Sequence, residues 1–421
     1  MLVNFRVKNF KSFKDMINFS METTKLKNLK DSNIFDVNNI SLLKSAIIYG
    51  ANASGKSSLL DAMETIKSIV ANSVSIKKRF KIQPFLLNSE TEQEDTYFEI
   101  EFIVEEILYR YGFEIAIDET ISSEWLYQKK LQIKARESKL FERKGKEISL
   151  GNLFKEGRLL IEKTRDNALF LSVVAQFNGE VSKKILNWFN QFNHISNTKS
   201  DEFEHYTFKK LEDIEFKDKI ITFIKNSDIG ISDIQNKKIS YEELKVDNPK
   251  LDELPNIFIE EMKTKGLSTI ETSHIQYNKD SHFNRFISFS LDRESDGTQK
   301  LLALSAPIIE TLINGEILVI DELDNSLHTE LVEAIIKLFN SKETNKNNAQ
   351  LIFTTHDTNL LNQDFFRRDQ IWFTQKDIYG VSELYSLVEY GKKDDLSLER
   401  NYLNGRFGGT PHISSLDYEI N

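Results

Sequence analysis

The sequence predicts an α/β protein whose core is a mixed β-sheet flanked by helices, with an antiparallel β subdomain and an inserted, mainly helical region. Strands and helices alternate near both ends of the chain, strands with a two-residue period follow the first of these segments, and helical spacing of apolar residues lies in between. We therefore expect residues 1–165 and 285–421 to form the two halves of one domain. Residues 166–284 are expected to be the helical or irregular insertion.

The chain has 421 residues, a formal net charge of −10 and no cysteine. The absence of cysteine excludes disulfides, thiolate zinc sites and cysteine nucleophiles. The negative charge argues against a surface that is basic throughout, but it leaves a local nucleic-acid groove open. The longest apolar stretch, residues 301–313, is interrupted by polar residues and is shorter than the ~18 residues of a membrane span. We expect a cytoplasmic protein that does not enter the membrane.

The amino-terminal half begins with strands. Residues 3–7 alternate in polarity, and residues 45–49 form a second strand that leads through a glycine-containing turn into a helix at 57–70. Residues 97–104 and 107–115 again alternate with a period of two, and shorter strands of the same kind follow. Strands joined by short charged turns predict an antiparallel meander.

The rest of the chain changes character twice. Apolar residues take helical spacing after about residue 167, as at Ile185, Trp188 and Phe189, and residues 226–284 are polar and irregular. From Phe286 onwards strands and helices alternate, which predicts a mostly parallel sheet. The predicted elements are helices at 298–313, 328–340 and 358–366 and strands at 286–291, 317–320, 351–354 and 370–373.

The clearest motif follows the second strand. Gly50-Ala-Asn-Ala-Ser-Gly-Lys-Ser57 matches G-x-x-x-x-G-K-[ST] and lies between a strand and a helix, which argues against a chance glycine-rich turn. Glycines let backbone N–H groups and the positive end of the helix surround a phosphate, Lys56 would lie between the β- and γ-phosphates, and Ser57 would hold Mg²⁺. The predicted nucleotide contacts are Gly50, Asn52, Ser54, Gly55, Lys56, Ser57 and Ser58.

The strand at 317–320 ends in two carboxylates, Asp321 and Glu322. A buried strand that carries an Asp to the edge of a sheet can complete a Mg²⁺ shell, and the adjacent Glu322 can act as the general base for an attacking water. An apolar strand that ends in Asp-Glu is common on its own, so this interpretation depends on the phosphate loop upstream.

Two further segments narrow the range of phosphate-loop enzymes that fit the sequence. The strand at 351–355 leads to His356, which is either a packed histidine at a strand end or an imidazole that reaches a γ-phosphate. Its place after the acidic strand favours the second interpretation. Before that strand, Ser295 and Gly297 open a helix and form a second anion-binding helix start. One nucleotide cannot use both helix starts of the same subunit.

Together these segments resemble the ATP-binding-cassette (ABC) ATPases, in particular the branch shared by structural-maintenance-of-chromosomes (SMC), RecF-like and overcoming-lysogenization-defect (OLD) proteins, which are also described as AAA-type ATPases. The resemblance covers residues 1–70 and 285–375 and implies an ABC-type P-loop NTPase head that binds ATP and Mg²⁺. The signature motif of transporters reads Leu-Ser-Gly-Gly-Gln, whereas residues 294–299 here read Glu-Ser-Asp-Gly-Thr-Gln. This looser form fits the SMC-like branch. The implied roles are Walker A for 50–57, Walker B for 317–322, signature motif for Ser295, Gly297 and Gln299, D-loop for Asp324, switch histidine for His356, a position near nucleotide for Lys11, and a Q-loop ligand of Mg²⁺ for Gln83.

In this family the signature of one subunit caps the ATP held by the other, which implies a homodimer that sandwiches two ATP molecules and leaves larger assemblies open. The tail at 401–411 resembles that of stand-alone bacterial ATPases in abortive-infection and other anti-phage operons, which work with a separately encoded effector. The roughly 65 residues after His356 are too few for the TOPRIM nuclease that OLD proteins carry there. We therefore expect any nuclease or TOPRIM-like effector on another chain.

Our hypothesis is an ABC-type ATPase whose ATP-dependent dimerisation controls an effector in anti-phage defence. The alternative is a RecF- or SMC-like ATPase that binds DNA for repair or maintenance. A transporter subunit fits worst, because Lys56 and Asp321 are 265 residues apart, more than a transporter cassette needs. The basic segment 129–146 is either a contact to a nucleic-acid backbone or a solvated sheet edge, and we favour the second.

Overall fold

The computed structural model describes most of the chain, in two units. The described residues are 1–75, 80, 82–196, 200–239, 241–242, 245, 259–260, 263, 267–390 and 397–410. The first unit consists of Met1–Ser196, Thr311–Asn325 and Val332–Asn421, and the second of Asn197–Glu310 and Ser326–Leu331. The first unit thus combines both ends of the chain. It also contains residues 166–196 of the expected insertion, whereas residues 285–310 belong to the second unit.

The described residues form eighteen strands and eight helices. The strands are β1 (Leu2–Lys8), β2 (Ile17–Ser20), β3 (Ile34–Val37), β4 (Ile40–Leu43), β5 (Ser45–Gly50), β6 (Thr96–Val104), β7 (Ile107–Ile115), β8 (Ile121–Lys130), β9 (Ser138–Lys144), β10 (Glu147–Leu150), β11 (Phe192–Ile195), β12 (Ile231–Ile239), β13 (Leu267–Tyr277), β14 (Phe283–Ser290), β15 (Ile317–Ile320), β16 (Gln350–Thr354), β17 (Ile371–Lys376) and β18 (Ser382–Ser386). The helices are α1 (Lys56–Asn72), α2 (Phe170–Gln176), α3 (Glu180–Asn190), α4 (Ser200–Lys210), α5 (Ile214–Lys225), α6 (Asp296–Asn314), α7 (Thr329–Asn340) and α8 (Leu398–Leu403). None of the described helices is long and apolar enough to cross a membrane.

The first unit is built on a six-stranded sheet in the order β11-β15-β16-β5-β17-β18. The first five strands are parallel, and β18 runs antiparallel to β17. Strands β5, β15 and β16 are buried along their whole length, as expected for strands covered on both faces. The predicted α/β fold with a mixed sheet is confirmed.

A seven-stranded antiparallel sheet in the order β10-β9-β8-β7-β6-β1-β2 contains the predicted meander, with β1 and β2 added at one edge. An apolar core shared with the mixed sheet includes Phe102 from β6, Trp188 from α3 and Val319 from β15. The rings of Phe102 and Trp188 stack with their centroids 4.0 Å apart. Burial of this aromatic surface stabilises the unit and places α3 against β6.

Buried polar side chains tie distant segments of the first unit together. Gln350 is fully buried; its Oε1 accepts the N–H of Leu2 at 2.6 Å, and its Nε2 donates to the carbonyls of Leu2 and Leu43. Arg367 is also fully buried, and its Nη1 donates to the carbonyls of Leu26 at 3.1 Å and Asn28 at 2.7 Å. Because buried polar groups are costly unless they are paired, these contacts specify which segments meet.

The prediction of a helix at 358–366 is wrong. The structure has only a short 3₁₀ turn at Thr358–Leu360. The side chains of Asp357 and Asn362 accept hydrogen bonds from the backbone N–H groups two residues ahead, of Asn359 and Asp364. Such local bonds favour turns over continuous helix.

The second unit contains α4, α5, a three-stranded antiparallel sheet in the order β12-β13-β14, and the start of α6. The expectation of an irregular segment at 226–284 is therefore wrong where these strands lie. Few apolar side chains of β12 and β13 are buried, among them Ile234 and Ile270. Lys237 of β12 forms an ion pair with Glu271 of β13 at 2.8 Å. Polar residues fill most positions of β12 and β13 and leave too little alternation for a strand prediction.

Candidate active site

The loop between β5 and α1 has the two glycines that its shape requires. A Cβ on Gly50 would collide with the hydroxyls of Thr374 and Ser54. Gly55 has φ = +118°, and a Cβ there would lie 2.7 Å from Oγ of Ser382. The Ser54 and Thr374 hydroxyls are themselves 2.6 Å apart and buried, so they fasten the loop to β17. Both positions therefore require glycine, and no Cβ at either position covers the loop backbone.

Helix α1 begins at this loop without a side-chain cap. Gly55 is its N-cap residue and offers no side-chain hydrogen bond to the first turn. The first N–H groups of a helix have no partner within the helix, and they carry the positive end of its dipole. The start of α1 thus fits an anion, as the sequence predicts.

The ammonium of Lys56 is held inside the loop. Lys56 is 6% exposed, and its Nζ donates to the carbonyls of Gly50 at 2.8 Å and Ala51 at 3.2 Å. Burial lowers the pKa of Lys56 from its ordinary value, and the carboxylates within residues 321–324 oppose that shift. The cation therefore lies near both the loop carbonyls and the acidic segment, where phosphate oxygens could replace the carbonyls.

The other predicted nucleotide contacts differ in their surroundings. The side chains of Asn52 and Ser57 are exposed at the mouth of the loop. The hydroxyl of Ser58 accepts a hydrogen bond from the Ser12 hydroxyl at 3.1 Å. Of the two neighbouring serines, Ser57 and Ser58, Ser57 thus has the hydroxyl that solvent or a metal ion can reach.

The acidic turn follows β15, two strands away from β5 in the same sheet. Thr354, the last residue of β16, donates its hydroxyl proton to Oδ1 of Asp321 at 2.6 Å. The same hydroxyl accepts the N–H of Glu322 at 2.7 Å, and the Thr354 carbonyl accepts the N–H of Leu323 at 3.1 Å. Because β5, β16 and β15 are parallel neighbours, the phosphate loop and the acidic turn lie at the same edge of the sheet.

Glu322 has an unusual backbone conformation. Its φ is +51°, in the left-handed region that few residues other than glycine adopt. Its Oε1 lies 3.8 Å from Nε2 of His356, and the two side chains are 37% and 40% exposed. The structure therefore brings the predicted base and the predicted switch histidine together in an accessible place.

Asp324 links the acidic turn to the histidine segment. Its Oδ2 accepts the N–H of His356 at 3.1 Å. Its Oδ1 is buried and has no hydrogen-bond partner among the described residues. A buried carboxylate oxygen without a partner is costly, and it fits a site that another group completes.

Lys11 and Gln83 lie beside α1. Lys11 has φ = +49°, and its Nζ is 2.6 Å from Oδ2 of Asp61 in the second turn of the helix. Its backbone N–H donates to the carbonyl of Gln83 at 2.7 Å, while the Gln83 side chain is exposed. The structure thus places Lys11 near the start of α1 and joins Gln83 to it through the backbone.

The signature-like segment belongs to the second unit. The hydroxyl of Ser295 accepts the N–H of Thr298 at 3.2 Å and so caps α6. The amide of Gln299 donates to the Glu294 carbonyl at 2.9 Å. A Cβ on Gly297 would lie 2.5 Å from the carbonyl oxygen of Ser326, which belongs to the same unit. Ser295 is exposed at this capped helix start.

The basic segment 129–146 does not form a uniform cationic face. Arg143 is 2% exposed and donates to the carbonyls of Gly145 and Ala168 at 2.7 and 2.6 Å. Lys139 pairs with Glu142 at 3.2 Å. Arg143 therefore supports the fold and is not accessible to a nucleic acid, whereas the exposed basic residues of the segment are Lys129, Lys130, Lys134, Arg136, Lys144 and Lys146.

Sequence reasoning missed several residues that support the loop and the turn. These are the hydroxyl residues Ser12, Thr354, Thr374 and Ser382, together with the segment 397–410. Within that segment, a Cβ on Gly409 would lie 3.7 Å from Cα of Gly50, and the Tyr402 ring packs against Tyr49 with centroids 5.6 Å apart. The glycine-rich tail was visible in the sequence, but no local signal connects it to the loop.

A family model described as "AAA domain, putative AbiEii toxin, Type IV TA system" matches residues 45–362, which is more than half of the chain. The match begins at β5, before the phosphate loop, and extends beyond His356. This chain belongs to that family. A comparison with curated proteins found no match. Membership confirms an AAA-family ATPase of abortive-infection type, and it supports an ATPase-like role for the site described above.

Proposed function

We propose that this member of the family binds ATP with Mg²⁺ and hydrolyses it to ADP and phosphate. One observation carries the proposal: the carboxyl ends of β5, β16 and β15 bring a phosphate-binding loop, a histidine and an acidic turn to one edge of a sheet. This edge is where open α/β sheets bind their ligands.

The loop and its surroundings bind the triphosphate in this proposal. The N–H groups of the loop and of the first turn of α1 contact phosphate oxygens. Lys56 exchanges its hydrogen bonds to the two loop carbonyls for bonds to phosphate oxygens. Ser57 and Asp321 hold Mg²⁺, with Gln83 as a further ligand. When bound, the ion would neutralise negative charge on the triphosphate. Among the described residues, no group of three or more His, Asp or Glu side chains could hold a metal ion by itself, so phosphate oxygens and water would have to complete the shell.

Glu322 and His356 carry the catalytic roles. Glu322 accepts a proton from the attacking water, and His356 hydrogen-bonds to the γ-phosphate. Their 3.8 Å separation is consistent with both side chains reaching the same phosphoryl group. A positioned general base contributes about 10²–10⁴-fold in rate.

We infer that ATP joins two copies of the chain. Ser295, Gly297 and Gln299 of one copy seal the nucleotide of the other, and Asp324 lies at the junction. In support, Ser295 is an exposed residue at a capped helix start, and its segment belongs to a different unit from the phosphate loop. An isologous dimer would use each of these segments twice.

The dimer controls a separately encoded effector of nuclease or TOPRIM-like type in anti-phage defence. The description of the family as an abortive-infection toxin of a type IV toxin–antitoxin system supports a partner protein. Against the alternative, a DNA-binding repair ATPase, Arg143 of the basic segment is buried and bonded to backbone carbonyls, so it is not a nucleic-acid contact.

Replacement of Glu322 by Gln tests the hydrolysis. We expect nucleotide binding to persist, hydrolysis to fall by about 10²–10⁴-fold, and ATP-bound dimers to accumulate, because only the proton acceptor is lost. Phosphate release, equilibrium binding of a fluorescent ATP and light scattering measure these three effects. Glu330→Gln, at an exposed carboxylate on α7, is the matched control. Unchanged hydrolysis in Glu322→Gln would refute the assignment of the base.

Complementation tests the sealing of one site by another copy. Lys56→Ala and Ser295→Arg should each be inactive alone. When mixed in equal amounts, they should recover about a quarter of wild-type hydrolysis, because half of random dimers are mixed and each mixed dimer has one intact composite site. Absence of recovery, with mixed dimers shown by pull-down of a tagged copy, would argue against sealing in trans.

A further inference from the structure

We propose that Thr354 is a positioning residue that sets both acidic groups of the site, orienting Asp321 for Mg²⁺ and holding Glu322 in its left-handed conformation. This inference rests on the function proposed above. Nothing in the motif pattern assigns a role to Thr354, which lies two residues before the histidine.

The Thr354 hydroxyl is buried and makes two hydrogen bonds. Thr354 is 0% exposed and ends the strand that lies between β5 and β15. Its single proton goes to Oδ1 of Asp321 at 2.6 Å, and its oxygen accepts the N–H of Glu322 at 2.7 Å. A hydroxyl has one proton to donate, so this pairing leaves it with only one arrangement. This hydrogen bond fixes the orientation of the Asp321 carboxylate, and Thr354 contacts only its Oδ1.

The same residue supports the strained turn that follows. Glu322 has φ = +51°, a conformation that persists only where surrounding contacts determine it. Thr354 supplies two of these contacts: its hydroxyl holds the N–H of Glu322 and its carbonyl holds the N–H of Leu323. A third bond, from the N–H of Asn325 to the Glu322 carbonyl at 3.1 Å, closes the turn.

Substitutions can separate the hydroxyl from the shape of the side chain. Valine has the shape of threonine without the hydroxyl, so Thr354→Val removes both hydrogen bonds and keeps the packing. Thr354→Ser keeps the hydroxyl and loses a methyl group. Thr311 provides a matched control, because it is also fully buried and its hydroxyl has no hydrogen-bond partner in the described part of the chain.

The experiment titrates Mg²⁺ against the full chain and a fluorescent ATP analogue. We expect Thr354→Val to bind the analogue in EDTA as the wild type does. The Mg²⁺ concentration that half-saturates the gain in nucleotide affinity should rise about 10–100-fold, the usual effect of losing a group that orients a metal ligand. Hydrolysis at saturating Mg²⁺ should also fall, because Glu322 is displaced. Thr354→Ser should restore both properties, and Thr311→Val should match the wild type.

Circular dichroism and thermal unfolding are measured for each variant, and Thr354→Ala replaces Thr354→Val if the valine variant does not fold. Equal Mg²⁺ half-saturation in Thr354→Val and wild type would overturn the inference, as would a Thr354→Ser variant that behaves like Thr354→Val. A wild-type chain that binds nucleotide without any response to Mg²⁺ and does not hydrolyse it would overturn the proposed function, and this inference with it.

Discussion

The phosphate loop and the acidic turn lie at one edge of the same sheet, but they are held there by different means. The loop takes its shape from its own glycines, with Gly55 at φ = +118°, and its cation bonds to carbonyls five and six residues away. The acidic turn depends on Thr354, which is more than 30 residues further along the chain. The first is a local structure that a motif can encode, whereas the second exists only once two strands have paired.

The largest expected effect comes from breaking the local structure. Gly55→Ala should weaken nucleotide binding about 10–100-fold, because the left-handed backbone costs about 1–3 kcal/mol in alanine and the new Cβ would lie 2.7 Å from Oγ of Ser382. Fluorescence titration with an ATP analogue measures this loss. Gly145→Ala is the control, since Gly145 also has a positive φ but has open space around it. Wild-type affinity in Gly55→Ala would show that the loop does not need its glycine.

A smaller effect is expected from the one distant support that the loop does have. Thr374→Val removes the bond between the Thr374 and Ser54 hydroxyls, which is 2.6 Å long and buried. A hydrogen bond of this kind is worth about 1 kcal/mol, so we expect roughly a fivefold loss of nucleotide affinity. Its Mg²⁺ dependence should not change, in contrast to Thr354→Val. If the two variants had the same phenotype, the distinction between loop and acidic turn would fail.

The smallest effect concerns pH. Burial lowers the pKa of Lys56 from its ordinary value, so the free chain loses this proton at lower pH than a solvated lysine does. Phosphate binding favours the charged form, and nucleotide affinity should therefore fall severalfold as the pH rises through the lowered pKa towards the ordinary value of about 10.4. Calorimetry across pH 7–10 measures the trend and the accompanying proton uptake. Affinity that increases with pH would contradict the role of Lys56.

The parts of the site that are local in sequence could be predicted, and the parts that depend on pairing between strands could not. The loop with Lys56 and the pair Asp321 and Glu322 follow from short patterns next to apolar strands. Thr354 and Thr374 could not be recognised, because a buried threonine is also an ordinary residue for a strand. Only the pairing of β15 with β16, and of β5 with β17, gives their hydroxyls partners.

The fold shows the same limit. The mixed sheet and the meander were predictable because their strands are apolar or alternate in polarity. Strands β12 and β13 were missed because polar residues fill most of their positions, whereas strand character was predicted from Phe286, within β14. In the basic segment, charge alone did not distinguish Arg143, which is buried, from its solvated neighbours. A guanidinium bonded to carbonyls from distant residues cannot be recognised by its own sequence context.

The pairing of β5 has a consequence for synthesis on the ribosome. Its two neighbours in the sheet, β16 and β17, are about 300 residues further along the chain. At roughly 5–20 residues per second, the nascent phosphate loop waits about 15–60 s for the strands beside it. During that time two apolar strand edges stay open to wrong partners, so chaperone supply and translation speed should govern how much active protein a cell obtains.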